Sequence, residues 1–144
     1  MSTIVVGVDG SEGSMDALRF AIREARIREA QVKAVGAWHV PPYAYGAGWS
    51  VPVELESFRE TAQSALEKSL DDADSVGSGV TVTAVLGQGQ AADVLCHEAR
   101  DADLLVVGSR GLGGFAGLLL GSVSQQCAQH ATCPVLVVPG KARD

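Results

Sequence analysis

The chain has 144 residues, 47% of them hydrophobic and 19% charged, which suffices for one well-filled core and is too short for two. Its formal net charge is −6. Its arginines are scattered, which argues against a duplex nucleic-acid surface or an anionic membrane as partner, because both need clustered cations. One domain spanning residues 1–144 is expected, with no nucleic-acid and no membrane partner.

The N-terminus, Met1-Ser2-Thr3-Ile4-Val5-Val6, has no basic n-region, and no segment approaches the roughly 20 apolar residues of a membrane span, so a cytoplasmic location is expected. Residues 4–8 form a β-branched run of strand length. Asp9-Gly10-Ser11 follows, then Met15, Leu18, Ile22 and Ala25 at helical spacing, with Ser11 or Ser14 as the N-cap. Arg19, Arg23, Arg26 and Arg28 lie on this helix beside Glu24 and Glu29, a solvated face with ion pairs between turns.

Residues 32–40 read as a second strand, ended by Pro41-Pro42. The Gly-rich stretch 43–49, with Tyr43, Tyr45 and Trp49, cannot be a regular element; its aromatics either cover a ligand or pack on the fold. Leu55, Phe58, Ala62, Ala65, Leu66 and Leu70 mark a second helix, residues 80–86 a third strand, and Gly87-Gln88-Gly89-Gln90 a turn into a third helix carrying Leu95 and Ala99. A fourth strand at 104–107, a fourth helix with Val123 and Cys127, and a last strand at Val135–Val138 complete the series. The three cysteines, Cys96, Cys127 and Cys133, have no C-x-x-C spacing and lie in apolar surroundings, which fits a reducing compartment. A redox pair between Cys127 and Cys133 is conceivable, but buried thiols acting as small hydrophobes is the favoured reading.

Five strands thus alternate with four helices. β-branched runs with little period-two alternation predict strands buried on both faces, hence an α/β fold with a parallel sheet between helix layers. In such folds ligands bind beyond the C-terminal ends of the strands, where strand order reverses. Two strand ends carry unusual chemistry, Asp9-Gly10-Ser11 and Gly108-Ser109-Arg110-Gly111, and they share a crevice if the first and fourth strands are neighbours.

The second of these loops points to phosphate. Its glycines leave room for backbone N–H groups to approach an anion, Arg110 adds a cation, and Gly121-Ser122 opens the last helix with its positive dipole end and a hydroxyl. The alternative is a glycine-rich surface loop capped by Ser122. No G-x-x-x-x-G-K-[ST] is present. Gly111-Leu112-Gly113-Gly114-Phe115-Ala116 fits G-x-G-x-x-A, but the strand after it ends in Pro139-Gly140 with no acid for a ribose hydroxyl, which disfavours a dinucleotide. Asp9 is repelled by phosphates unless it meets sugar hydroxyls or a metal, so ribose or Mg2+ is its functional reading and a plain turn residue its alternative. None of His39, His97 and His130 falls in the phosphate loop, and none has metal-ligand spacing with the cysteines, so binding with slow hydrolysis at most is expected.

The G-x2-G-x9-G-S pattern, the opening Ile4-Val5-Val6-Gly7-Val8-Asp9-Gly10-Ser11 and the ending Cys133-Pro134-Val135-Leu136-Val137-Val138 together resemble the universal stress protein family, in its ATP-binding branch, over essentially the whole chain. The resemblance implies a Rossmann-like three-layer α/β/α fold with a five-stranded parallel sheet in the order 3-2-1-4-5, which makes the first and fourth strands neighbours. It implies Val8 and Asp9, with Gly10 in the same turn, at the adenosine end and Val40 meeting adenine through its backbone. Val107, Gly108 and Gly111 would line the ribose and phosphates, and Gly121, Ser122 and Val123 would hold the phosphate tail. Ser109, Arg110 and Gly114 join them as members of the same loop. Gln90 stands where the family often has a proline. The implied function is a stress-response switch or adaptor that binds ATP, with Mg2+ at Asp9 as an accessory. The alternatives are a weak ATPase, a cyclic AMP or AMP binder, and an interaction protein with a vestigial pocket. A homodimer through the last strand, Val135, Leu136, Val137 and Val138, is implied as well, since an apolar edge strand is otherwise a liability in water.

Overall fold

A computed structural model describes residues 2–39, 51–109 and 121–140. Five strands, β1 (Thr3–Gly7), β2 (Gln31–Trp38), β3 (Val82–Gln88), β4 (Leu104–Gly108) and β5 (Val135–Val138), form one sheet in the order β3-β2-β1-β4-β5, with every neighbouring pair parallel. Four helices are described: α1 (Glu12–Arg28), α2 (Val51–Asp72), α3 (Ala91–Glu98) and α4 (Ser122–His130), with a 3-10 turn at Val76–Ser78. Among the described residues no helix is long and apolar enough to cross a membrane.

Alternate side chains of the central strands feed two cores, one on each face of the sheet. Ile4, Val6, Leu104 and Val106 pack against Leu18, Ala21 and Ile22 of α1 and Leu66 of α2. Val5, Leu105 and Val107 pack against Val94 and Leu95 of α3 and Cys127 of α4. This is why the β1 and β4 runs are apolar at every position: their residues alternate, but both faces are covered. The edges depart from that expectation. In β3 Thr83, Ala84 and Gln88 are exposed, and β5 is half-buried throughout, because each edge strand has a neighbour on one side only.

Ser11 is the N-cap of α1, its hydroxyl accepting from the Ser14 N–H at 3.2 Å. The helix ends on Glu29 in the left-handed region (φ 57°), whose N–H donates to Ala25. β2 stops at Trp38, short of the expected 40, and β3 begins at Val82 where 80 was expected. Gln90 is the N-cap of α3 at φ −66°, the angle a proline would impose, so the glutamine serves the turn that the family often builds with proline. The thiol beside Cys127 is that of Cys96, on α3, in addition to Cys133. Cys127 is fully buried, whereas Cys96 and Cys133 are half-buried, a correction to the expectation that all three are buried. Burial first, and then the neighbouring Cys96, pushes the Cys127 thiol up to about 12, so it stays protonated and inert at neutral pH.

Candidate functional site

β1 and β4 are hydrogen-bonded neighbours, with Ile4 opposite Leu104 and Val6 opposite Val106, so their C-terminal ends open into one crevice. From β1 the sheet grows through β2 on one side and β4 on the other, and this reversal creates the gap between the following loops. A cavity of about 90 Å³ lies there. Its floor is apolar, made by Val8, Val35, Ala37, Leu95, Val107 and Val123, and its polar rim includes Asp9, Ser11, Ser14 and Ser124.

The Asp9 turn is a hydrogen-bonded unit. Oδ1 of Asp9 accepts from the Ser11 N–H at 2.9 Å and from the Ser11 hydroxyl at 2.5 Å, while the Asp9 N–H donates to Oγ of Ser14 at 3.2 Å. The Ser14 hydroxyl in turn donates to the Ser11 carbonyl at 3.1 Å. Gly10 has φ +86°, which L side chains rarely adopt, so its glycine serves the turn. The exposed Asp9 carboxylate is therefore held by the α1 N-terminus and presented at the crevice rim.

Across the crevice, the end of β4 and the start of α4 are joined. The Ser109 carbonyl accepts from the Gly121 N–H, and the Ser109 N–H donates to the Val138 carbonyl at 2.9 Å. The N-cap of α4 is Gly121, with no capping side chain, and Ser122 is the first helical residue and is exposed, while the loop that Ser122 caps in the alternative reading lies outside the described residues. The start of α3 at Gln90 also has no side-chain cap. Ala91 at the start of α3, Val123 and Ser124 at the start of α4, and Ser11 and Ser14 at the start of α1 all line the cavity. Three helix N-termini thus converge on one space, and in two of them the N-cap residue makes no side-chain cap hydrogen bond.

Of the residues expected at the site, Val8, Asp9, Val107, Gly108 and Val123 line the cavity, and Gly10, Ser109, Gly121 and Ser122 adjoin it in the chain. Val40, Arg110, Gly111 and Gly114, and the aromatic stretch 43–49, lie outside the described residues. Gly7 and Ser11, which flank the expected Val8 to Gly10, also line the cavity, and sequence reasoning missed Ser14, Val35, Ala37, Ala91, Leu95 and Ser124 outright. Ala91 was signalled by its place at the end of a Gly-rich turn after a strand; the others look like ordinary core or helix residues. Among the described residues no group of three His, Cys, Asp or Glu side chains could hold a metal ion. His97 and His130 lie elsewhere, along a groove of about 290 Å³ between α3 and α4 that also contains Arg100, whose guanidinium is 3.2 Å from Nδ1 of His97.

Comparison with known proteins matches residues 1–139 to the universal stress protein family. A universal stress protein of Mycolicibacterium smegmatis is 38% identical over 139 residues, covering 94% of this chain and 45% of the relative. A second, Rv2623 of Mycobacterium tuberculosis, is 35% identical over 134 residues, 93% of this chain and 44% of its own. The chain spans about half the length of the curated relatives it matches. Among solved structures, a universal stress protein in complex with cAMP is 31% identical, with a TM-score of 0.67 and 95% of each chain covered. An Arabidopsis thaliana protein of the same family with AMP bound superposes with a TM-score of 0.67 at 22% identity over 99% of this chain and 94% of that one, a likeness of fold. With the parallel sheet in the order 3-2-1-4-5 and a family match over nearly its full length, the chain belongs to the universal stress protein family.

Proposed function

We propose that this chain is a single nucleotide-binding domain that takes ATP into the crevice at the ends of β1 and β4 and acts as a nucleotide-dependent switch or adaptor in a stress response. The observation that carries this reading is the convergence of three helix N-termini on one cavity with an apolar floor. The positive ends of α3 and α4, lacking capping side chains, suit phosphate oxygens, and the valines and Leu95 suit a base and sugar. The Asp9 carboxylate at the cavity rim supports a contact to ribose hydroxyls or to Mg2+ brought in with the phosphates, because Mg2+ is usually held by one or two carboxylates together with phosphate oxygens. Arg110, Gly111 and Gly114 complete the phosphate loop in this reading, and Val40 the adenine contact.

Asp9 is the one ionisable side chain among the described residues that line the cavity, and its Oδ1 is engaged by Ser11. That supports binding with slow hydrolysis at most over an efficient ATPase. A homodimer through β5 belongs to the same proposal. The solved relative in complex with cAMP favours a second reading, in which the site takes cyclic AMP or AMP by the same adenosine contacts. Calorimetric titration of ATP, AMP and cyclic AMP into wild type and Gly121→Val separates these. ATP bound most tightly by wild type, with binding lost in the valine variant because its side chain blocks backbone approach, is the expected outcome. Preference for cyclic AMP or AMP replaces ATP in the proposal, and no binding heat with any of the three removes it.

A further inference from the structure

Ser124 belongs to none of the motifs that mark this site, yet it is 1% exposed and touches both of its phosphate-side walls. Its hydroxyl lies 3.0 Å from the Ser109 carbonyl, at the end of β4, and 3.0 Å from the Gly121 carbonyl, at the N-cap of α4. A serine has one hydroxyl proton, so that proton is shared between the two acceptors. The Ser109 carbonyl also accepts from the Gly121 N–H, which fills its two lone pairs. On its other side, Ser109 receives the Gly140 N–H on its Oγ at 3.2 Å and donates its own N–H to Val138. The Ser109 peptide is therefore fixed from β5, from the α4 N-cap and from Ser124 at once.

We propose that Ser124 is a positioning residue of the nucleotide site. Through the Ser109 and Gly121 carbonyls it sets the separation between the end of β4, where Val107 and Gly108 line the cavity, and the N-terminus of α4, where Val123 lines it. Ser124 itself presents no free proton to a ligand, so its effect is transmitted through backbone. This inference rests on the nucleotide reading above and refines it on the phosphate side: Ser124 matters for ligands that carry phosphate and not for the nucleoside alone.

The test titrates ATP and adenosine into wild type, Ser124→Ala, Ser124→Cys and Ser69→Ala, with melting temperatures measured in parallel. Ser69 is a second buried serine, on α2, whose hydroxyl donates to the Ala65 carbonyl at 3.0 Å on the other face of the sheet, and it controls for loss of stability alone. Losing one such hydrogen bond predicts ATP affinity about fivefold weaker in Ser124→Ala. Adenosine affinity should be unchanged, and Ser124→Cys, a larger group with a weaker donor, should fall between alanine and wild type. Ser69→Ala should lower the melting temperature and leave the ratio of ATP to adenosine affinity as in wild type. Wild-type ATP affinity in Ser124→Ala, or equal weakening of ATP and adenosine, overturns the positioning role while leaving the nucleotide reading intact. Failure of wild type to bind either ligand overturns both.

Discussion

A Cβ built on Gly108 would come within 2.8 Å of the Gly13 carbonyl oxygen and 2.9 Å of its carbon, a backbone that cannot retreat. The end of β4 thus crosses the first turn of α1 at a distance only glycine permits, and the residue serves packing as well as any approach to phosphate. Gly108→Ala is expected to cost about 1–3 kcal/mol of stability through overpacking, read as a lower denaturation midpoint. An unchanged midpoint would show that the crossing yields easily. The sequence displays the glycines of this loop and suggests room for phosphate as the reason for Gly108, a role that belongs to the proposed function. The other reason, Gly13, lies in a different element, and no local pattern announces the contact. Ser124 was illegible for a related cause: on its helix it looks like any polar residue near an N-terminus, and its meaning comes from the Ser109 carbonyl that folding brings to it.

At the scale of elements, the β-branched runs made all five strands readable, while their ends were less so. β2 and β3 shift by up to two residues because pairing, here Val32 with Val82 through Trp38 with Gln88, decides where a strand stops. Periodicity does not encode strand order, which came from the family resemblance; what could be read locally was an N-cap at Ser11 or Ser14, and it is Ser11. Nor could the meeting of three helix starts at one cavity be read before the order was known. The last strand carries the dimer proposal. Leu105 donates to the Pro134 carbonyl and Ser109 to the Val138 carbonyl, both at 2.9 Å, so alternate residues of β5 turn their backbone to β4 and Val135 and Val137 turn theirs outward. Val137→Pro removes an outward N–H while sparing the β4 ladder, a substitution that edge strands tolerate. Light scattering should find a dimeric wild type and a monomeric variant. A wild type that is monomeric, or a variant that remains dimeric, would place any self-association elsewhere.

For the whole molecule, the sheet is a partition between two cores whose helices all begin, for α1, α3 and α4, at the same crevice. In a chain of net charge −6 that arrangement gathers the positive ends of three helix dipoles at one cavity, the feature on which the proposal of an anionic ligand rests. Ser109 ties the end of β4 to Val138 and Gly140 around β5, and under the proposed function this contact is the route by which a nucleotide at the crevice would alter a partner surface. The most direct measurement of this account is the nucleotide released by acid denaturation of protein purified without added ligand, identified by chromatography and scaled to protein. ATP near one equivalent per chain is the expected result. Protein free of adenine nucleotide, and giving no heat when ATP, AMP or cyclic AMP is titrated into it, would contradict it.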